Sequence, residues 1–140
     1  MKRIYGLSVA LFLLSSFNTC LAGSCVNCSV ESIGLGPGFD QECPSGSCAL
    51  IRLKSNGNHF VRDICSVAQS WHFALDISGP TGKATLQQLM RAHDAGRQLV
   101  IVGNGKCSVY SNGTIEDVSK VYHYWEDNKL TIQDQVFNNW

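Results

Sequence analysis

The stretch CSVAQSWHFALDISGPTGKATLQQLMRAHDAGRQLVIVGNGKC, Cys65 to Cys107, decides the fold of this chain. Its apolar residues Trp71, Phe73, Leu75 and Ile77 alternate, the period of a half-buried strand over Ser70–Ile77. Gly79-Pro80 then turns the chain. Leu86, Leu89, Met90 and His93 follow at i, i+3, i+4 and i+7, which predicts an amphipathic helix over Thr81–Ala95 with Gln87, Arg91 and Asp94 facing away. Gly96 suits a left-handed helix stop. Gln98–Val102, built on Leu99-Val100-Ile101-Val102, reads as a central strand. The two bracketing cysteines, if joined, pin the helix across the sheet.

Outward from this core, the strand signals continue in both directions. Ala49–Leu53 alternates weakly, Asn56-Gly57 stands at a tip, and His59–Ile64 reads as the returning arm of a hairpin. Asn-Gly suits such a turn because both central residues must accept positive φ. The same dipeptide recurs at Asn104-Gly105 and Asn112-Gly113, and three such tips predict a meandering antiparallel sheet. Val118–Trp125 reads as a last strand. The glycine-, serine- and cysteine-rich start, Gly23–Ser47, reads as a stapled strand and loop with a brief apolar alternation at Ile33 and Leu35. One disulfide-bonded, β-rich domain over residues 23–126 and a polar tail over 127–140 are therefore expected.

Residues 1–22 read as a secretory signal peptide: Lys2 and Arg3 lead, Leu7–Leu14 is apolar, and Cys20-Leu21-Ala22 forms the cleavage site. The apolar run is shorter than the roughly 20 residues needed to cross a bilayer, and no later stretch qualifies, so no membrane span is expected. Ala22-Gly23-Ser24 before Cys25 loosely matches a lipidation box, which is the alternative to ordinary cleavage. Eleven basic residues stand against eleven acidic ones. Losing Lys2 and Arg3 leaves a slightly acidic chain without basic clusters, which argues against nucleic acid as a partner.

Beyond Cys20, the six cysteines Cys25, Cys28, Cys43, Cys48, Cys65 and Cys107 imply a disulfide framework in an exported protein, periplasmic or secreted. The preferred pairing joins Cys65 with Cys107 and pairs the first four among themselves. Cys25-Val26-Asn27-Cys28 has redox-pair spacing, but no basic neighbour stands ready to stabilise a thiolate. A zinc site on the first four thiolates is disfavoured by the oxidising compartment, so no metal or cofactor is expected. Gly79–Lys83 fails as a phosphate loop, because Ile77 and Ala84 stand where glycine and Ser or Thr are required. His59, His72, His93 and His123 form no ligand pair; His93 reads as a packing residue and His72 as exposed. No Gly-x-Ser-x-Gly elbow supports a catalytic triad. Tyr110, Tyr122, Tyr124 and Trp125 cluster late in the chain with Trp140. Their flat apolar rings with one polar group suit sugar rings or a protein interface.

The order Cys65-Ser66, Trp71, helix, Ala92 to Gly96 and Gln98-Leu99-Val100-Ile101 resembles the core of the pertussis-like toxin B subunits. Small exported bacterial proteins sharing the pattern Gly82-Lys83-Ala84 through Cys107 are a closer resemblance. The likeness covers about the middle third of the chain. It implies an α+β, mainly antiparallel OB-like small barrel or meander with one helix packed on it. In the toxin group it implies a homopentamer that binds cell-surface glycans. The N-terminal region departs from that family by its four extra cysteines, and the family's glycan-contacting serine is matched to no position here. The expected function is a non-enzymatic domain binding a glycan or a protein surface. The alternatives are a periplasmic inhibitor or immunity-type protein and, less favoured, a thiol oxidoreductase.

Overall fold

The structure, a computed structural model, describes residues 22–39, 43, 46–57 and 60–124. Residues 1–21 of the expected signal peptide, His59, Trp125, Trp140 and the expected 127–140 tail lie outside the described residues. Six strands, β1 (Ser24–Gly34), β2 (Cys48–Ser55), β3 (Phe60–Val61), β4 (Phe73–Asp76), β5 (Gln98–Gly103) and β6 (Glu116–His123), accompany one helix, α1 (Pro80–Asp94).

The strands run β2-β4-β6-β5-β1-β3, and β1 also pairs with β2, so five of them close into a ring. All pairs are antiparallel except β4 with β6. With α1 inserted between β4 and β5, this is an α+β, OB-like barrel. Closure depends on β1, whose N-terminal half pairs with β5 while its C-terminal half pairs with β2. Register shifts at Cys25/Cys28 and Val30/Ser32 bend it between the two partners, as β-bulges do in barrels. Asn27 sits in the first shift at φ 58°.

Phe73, Leu75, Ile51, Leu53, Leu99, Ile101, Cys25 and Cys28 fill the barrel, and Leu89 and Ala92 of α1 plug it. Burying a side chain such as Phe73 stabilises by roughly 2–3 kcal/mol. A second cluster of Cys43, Cys48, Leu50, Ala74 and Ile115 covers the outside of β2 and β4. Both faces of those strands are thus buried, which is why Ala49–Leu53 alternates only weakly.

Several expectations need correction. The Asn56-Gly57 hairpin does not form, because β3 pairs with Ser24 and Cys25 of β1 and not with β2. Asn104-Gly105 and Asn112-Gly113 lie together in the single β5–β6 connection and not at separate hairpin tips, and the mainly antiparallel sheet closes into a barrel-like ring. Trp71 leaves the Phe73/Leu75 face: it packs edge-on against Phe39, centroids 5.7 Å apart, over Gly34. On α1 the buried stripe is Leu89 and Ala92, with Leu86 partly buried, whereas Met90 and His93 are exposed. The expected pairing is present: Cys65–Cys107, Cys25–Cys28 and Cys43–Cys48 are bonded, with Cα separations of 6.1, 5.9 and 5.1 Å. The first of these links two loops at one end of the barrel and does not cross the helix. Three disulfides fit an oxidising compartment. Among the described residues no helix is long and apolar enough to cross a membrane.

Candidate functional site

At the end of β6 where the strand begins, three buried carboxyl groups hold loops together. Glu116 is fully buried and accepts the N–H groups of Gly23 and Gly105, each at 2.9 Å. Gly23 and Gly103 flank it so closely that a Cβ on either would stand 2.2 or 2.0 Å from a carboxylate oxygen. Burial pushes the Glu116 carboxyl above its ordinary value, while the Gly105 and Gly23 donors pull the other way. Asp117 accepts from the backbone of Ser108 and Val109, 2.9 and 2.8 Å away, and from the Ser108 hydroxyl. Asp63 caps Cys65 N–H at 2.9 Å. Backbone donors occupy these carboxylates, so their work is architectural. Sequence reasoning missed them because nothing local marks Glu116-Asp117 as buried.

His72 is likewise absorbed. Its Nδ1 accepts the N–H of Leu53 at 2.9 Å, its ring packs edge-on against Phe60, and it is half-buried where exposure was expected. Cys25 and Cys28 are fully buried within β1, which denies an attacking thiolate the access that disulfide exchange requires. Among the described residues no three His, Cys, Asp or Glu side chains gather as metal ligands.

Toward its opposite end β6 has no second flanking strand among the described residues. The parallel β4–β6 ladder covers only Phe73↔Glu116 and Ala74↔Asp117. At Asp76 the chain leaves the sheet through a turn in which Ser78 N–H donates to Asp76 Oδ1 at 2.8 Å. The Ser78 hydroxyl first, and then that N–H, hold the Asp76 carboxyl below its ordinary value. α1 then packs on β1 and β4, and a groove is left between the helix and β6. Near the helix start it holds about 310 Å³, bordered by Thr81, Thr85, Val118 and Ser119. A separate cavity of about 520 Å³ lies between the Ala84–Gln88–Arg91–Ala95 flank of α1 and His123. A further 380 Å³ opens against Arg97, Gln98 and Tyr124.

The helix stop shapes this end. Gly96 takes φ 61°, and Arg97 N–H returns to the carbonyl of Ala92 at 2.9 Å. Tyr124 N–H donates to Gln98 at 2.9 Å and holds the β6 exit against the start of β5. Arg91 and Arg97 therefore stand at one mouth, and neither forms an ion pair among the described residues; the ion pairs seen there are Arg52–Glu31 and His93–Asp94. The signal for this groove in the sequence is slight: two glutamines and two arginines flanking a helix stop.

Of the aromatic candidates, Tyr122 is 40 % exposed on β6, and Tyr124 lines the groove mouth. Tyr110 lies at the other end of β6, partly buried against the second cluster. Trp125 is outside the described residues. The structure thus brings Tyr122 and Tyr124 to one end and separates Tyr110 from them. Compared with protein families, curated proteins and solved structures, the chain matches none.

Proposed function

We propose that this chain is an exported, non-enzymatic binding domain whose contact surface is the end of β6, and that its ligand is a glycan. The observation that carries the reading is Tyr122, a large aromatic left 40 % exposed on a rigid barrel strand, with Tyr124 two residues on. A tyrosine ring offers a flat apolar face to a sugar ring and a hydroxyl to its polar edge. A strand in a closed barrel holds that ring at little entropic cost on binding. The resemblance to toxin B subunits points the same way, and a ring of copies would multiply weak single-site affinity. The reading is tested by a glycan array probed with oxidised, mature protein presented multivalently. Binding that Tyr122→Ala weakens about tenfold, roughly 1.4 kcal/mol, supports it; no glycan bound at any density removes it.

A second reading, an inhibitor or immunity-type protein, draws on a different surface. Val61, Ile64 and Val67 are 52, 80 and 64 % exposed on the segment fastened by Cys65–Cys107. Exposed apolar side chains so close in sequence suit a protein interface. Affinity capture from the native cell envelope separates the two, because an inhibitor retains one protein stoichiometrically and Ile64→Asp abolishes that capture.

A further inference from the structure

The fully buried carboxylate of Glu116 is held by backbone donors alone. Gly23 N–H reaches both of its oxygens, at 2.9 and 3.1 Å. Gly105 N–H donates at 2.9 Å, and the Asp63 N–H donates as well. Among the described residues no lysine, arginine or histidine forms an ion pair with it. The cations close to the cradle in sequence are engaged elsewhere: Arg62 donates to the Ala68 carbonyl at 2.8 Å and lies over the Phe60 ring, and Lys106 is exposed. The charge that bears on Glu116 is the buried Asp63 carboxylate, which repels it. A buried carboxylate is costly until a cation joins it.

Gly23 fits this place closely. It is buried while Ala22 before it is exposed, so the chain passes from solvent into the barrel between these two residues. Gly103 N–H donates to the Gly23 carbonyl at 2.8 Å, and Ser24 then pairs with both Val61 and Val102. A Cβ at Gly23 would stand 2.2 Å from Glu116 Oε2 and 2.9 Å from the Val61 carbonyl oxygen. The bond that joins the exposed residue to the buried one, Ala22–Gly23, is also the bond at which Cys20-Leu21-Ala22 places the leader's cleavage. Sequence and geometry thus meet on one nitrogen.

We propose that cleavage of the Ala22–Gly23 bond turns the Gly23 nitrogen into an α-ammonium that pairs with Glu116. The mature amino terminus then supplies the cation of a buried ion pair and ties the start of β1 to β6. A leader peptidase, an endopeptidase that consumes one water, breaks the C–N bond. The hydroxyl goes to the Ala22 carbonyl carbon and the hydrogen to the Gly23 nitrogen. That amine takes up the proton that the new Ala22 acid releases. One hydrogen shared between two carboxylate oxygens becomes three hydrogens and a full charge on the same atom, already at charge-assisted distances.

While Gly23 is an amide, burial pushes the Glu116 carboxyl above its ordinary value; the ammonium favours the ionised form instead. The leader-bearing chain is therefore the weaker fold and the processed chain the stronger, which suits a chain that must cross a membrane before it folds. The inference rests on the export part of the function proposed above and is independent of the ligand.

Amino-terminal sequencing and intact mass of the oxidised protein recovered from a bacterial envelope are expected to give Gly23 as the first residue. A start at any other residue, a lipidated Cys25 included, overturns the proposal. An uncleaved chain kept in the cytoplasm removes the export reading as well, which distinguishes the two failures. Oxidised proteins beginning at Gly23 and at Ala22 are then compared at pH 7. The Gly23 amine is expected to react with an acylating reagent at least about tenfold more slowly than the Ala22 amine. In urea melts the Gly23 form is expected to show a folded-to-unfolded ratio about tenfold higher. Glu116→Gln, which keeps an oxygen for the Gly23 nitrogen but no charge, is expected to erase both differences. Equal amine reactivity in the two forms overturns the proposal, and that comparison needs no variant to fold. A stability gap that survives Glu116→Gln overturns it too.

Discussion

At Leu53 the backbone N–H finds its acceptor in the Nδ1 of His72 and not in a neighbouring strand. The ring is held below its ordinary value of 6.5, first by burial and then by Arg62 and Arg52, with Glu31 opposing. The folded protein therefore binds this proton less readily than the unfolded chain. Its contribution to stability is complete above pH 6.5 and is lost as pH falls through the lowered value. Glu116 has the opposite slope, since its raised carboxyl contributes fully below 4.5 and loses that contribution as pH rises. Denaturant melts at pH 7.5 and 5 isolate His72: His72→Asn, whose amide oxygen can take the same N–H, is expected to lose less stability on acidification than the native protein. His72→Ala, which strands the Leu53 donor, is expected to cost about 1–3 kcal/mol at pH 7.5. Gly103 supplies a second test. A methyl there meets a carboxylate fixed by backbone donors, so Gly103→Ala is expected to lower stability by about 2–4 kcal/mol in urea melts.

Among the elements, α1 and β5 were legible because their signals are local: a 3.6-residue period with a glycine stop, then a continuous apolar run. Met90 and His93 were misplaced on the buried stripe because Ala92, small and weakly hydrophobic, took the central position. β1 was underestimated for the opposite reason. Its two register shifts break the period-2 signal, so the sequence shows a stapled strand and loop over Gly23–Ser47 without marking Ser24–Gly34 as the strand that closes the barrel. The Asn-Gly tips misled because a turn signal says that the chain reverses and not which strand it then meets. The helix start carries its own test. Glycine in a helix usually costs stability relative to alanine, yet a Cβ at Gly82 would stand 1.8 Å from the carbonyl oxygen of Asp76. Gly82→Ala is therefore expected to destabilise by about 2 kcal/mol or more, against the helix-propensity trend, as read from thermal melts.

For the molecule as a whole, Cys65–Cys107 is the long-range fastening, with partners 42 residues apart. In the chain-entropy account it contributes about 4 kcal/mol, against about 2 kcal/mol for a loop as short as Cys25–Cys28. Cys65→Ser and Cys107→Ser are expected to destabilise equally, and by more than Cys25→Ser with Cys28→Ser, in oxidised-state urea melts. Disulfide mapping that pairs either residue elsewhere refutes this account. The ring was legible only through resemblance, because closure joins residues at opposite ends of the chain. The space between α1 and β6 left only a slight signal, because it lies where one ladder stops short.

The placement of β1 has a consequence for how the protein comes into being. Ser24 pairs with Val102, so the first strand to emerge in synthesis or translocation waits for nearly the last. Until then the apolar edges of β1 and β2 travel uncovered. Non-local pairing of this kind slows folding and exposes the nascent chain to aggregation. The two short disulfides can close during that wait, whereas Cys65 must stay reduced until Cys107 arrives. The order of oxidation is therefore set by the topology, and an oxidase acting too early on Cys65 would trap the chain with an N-terminal partner.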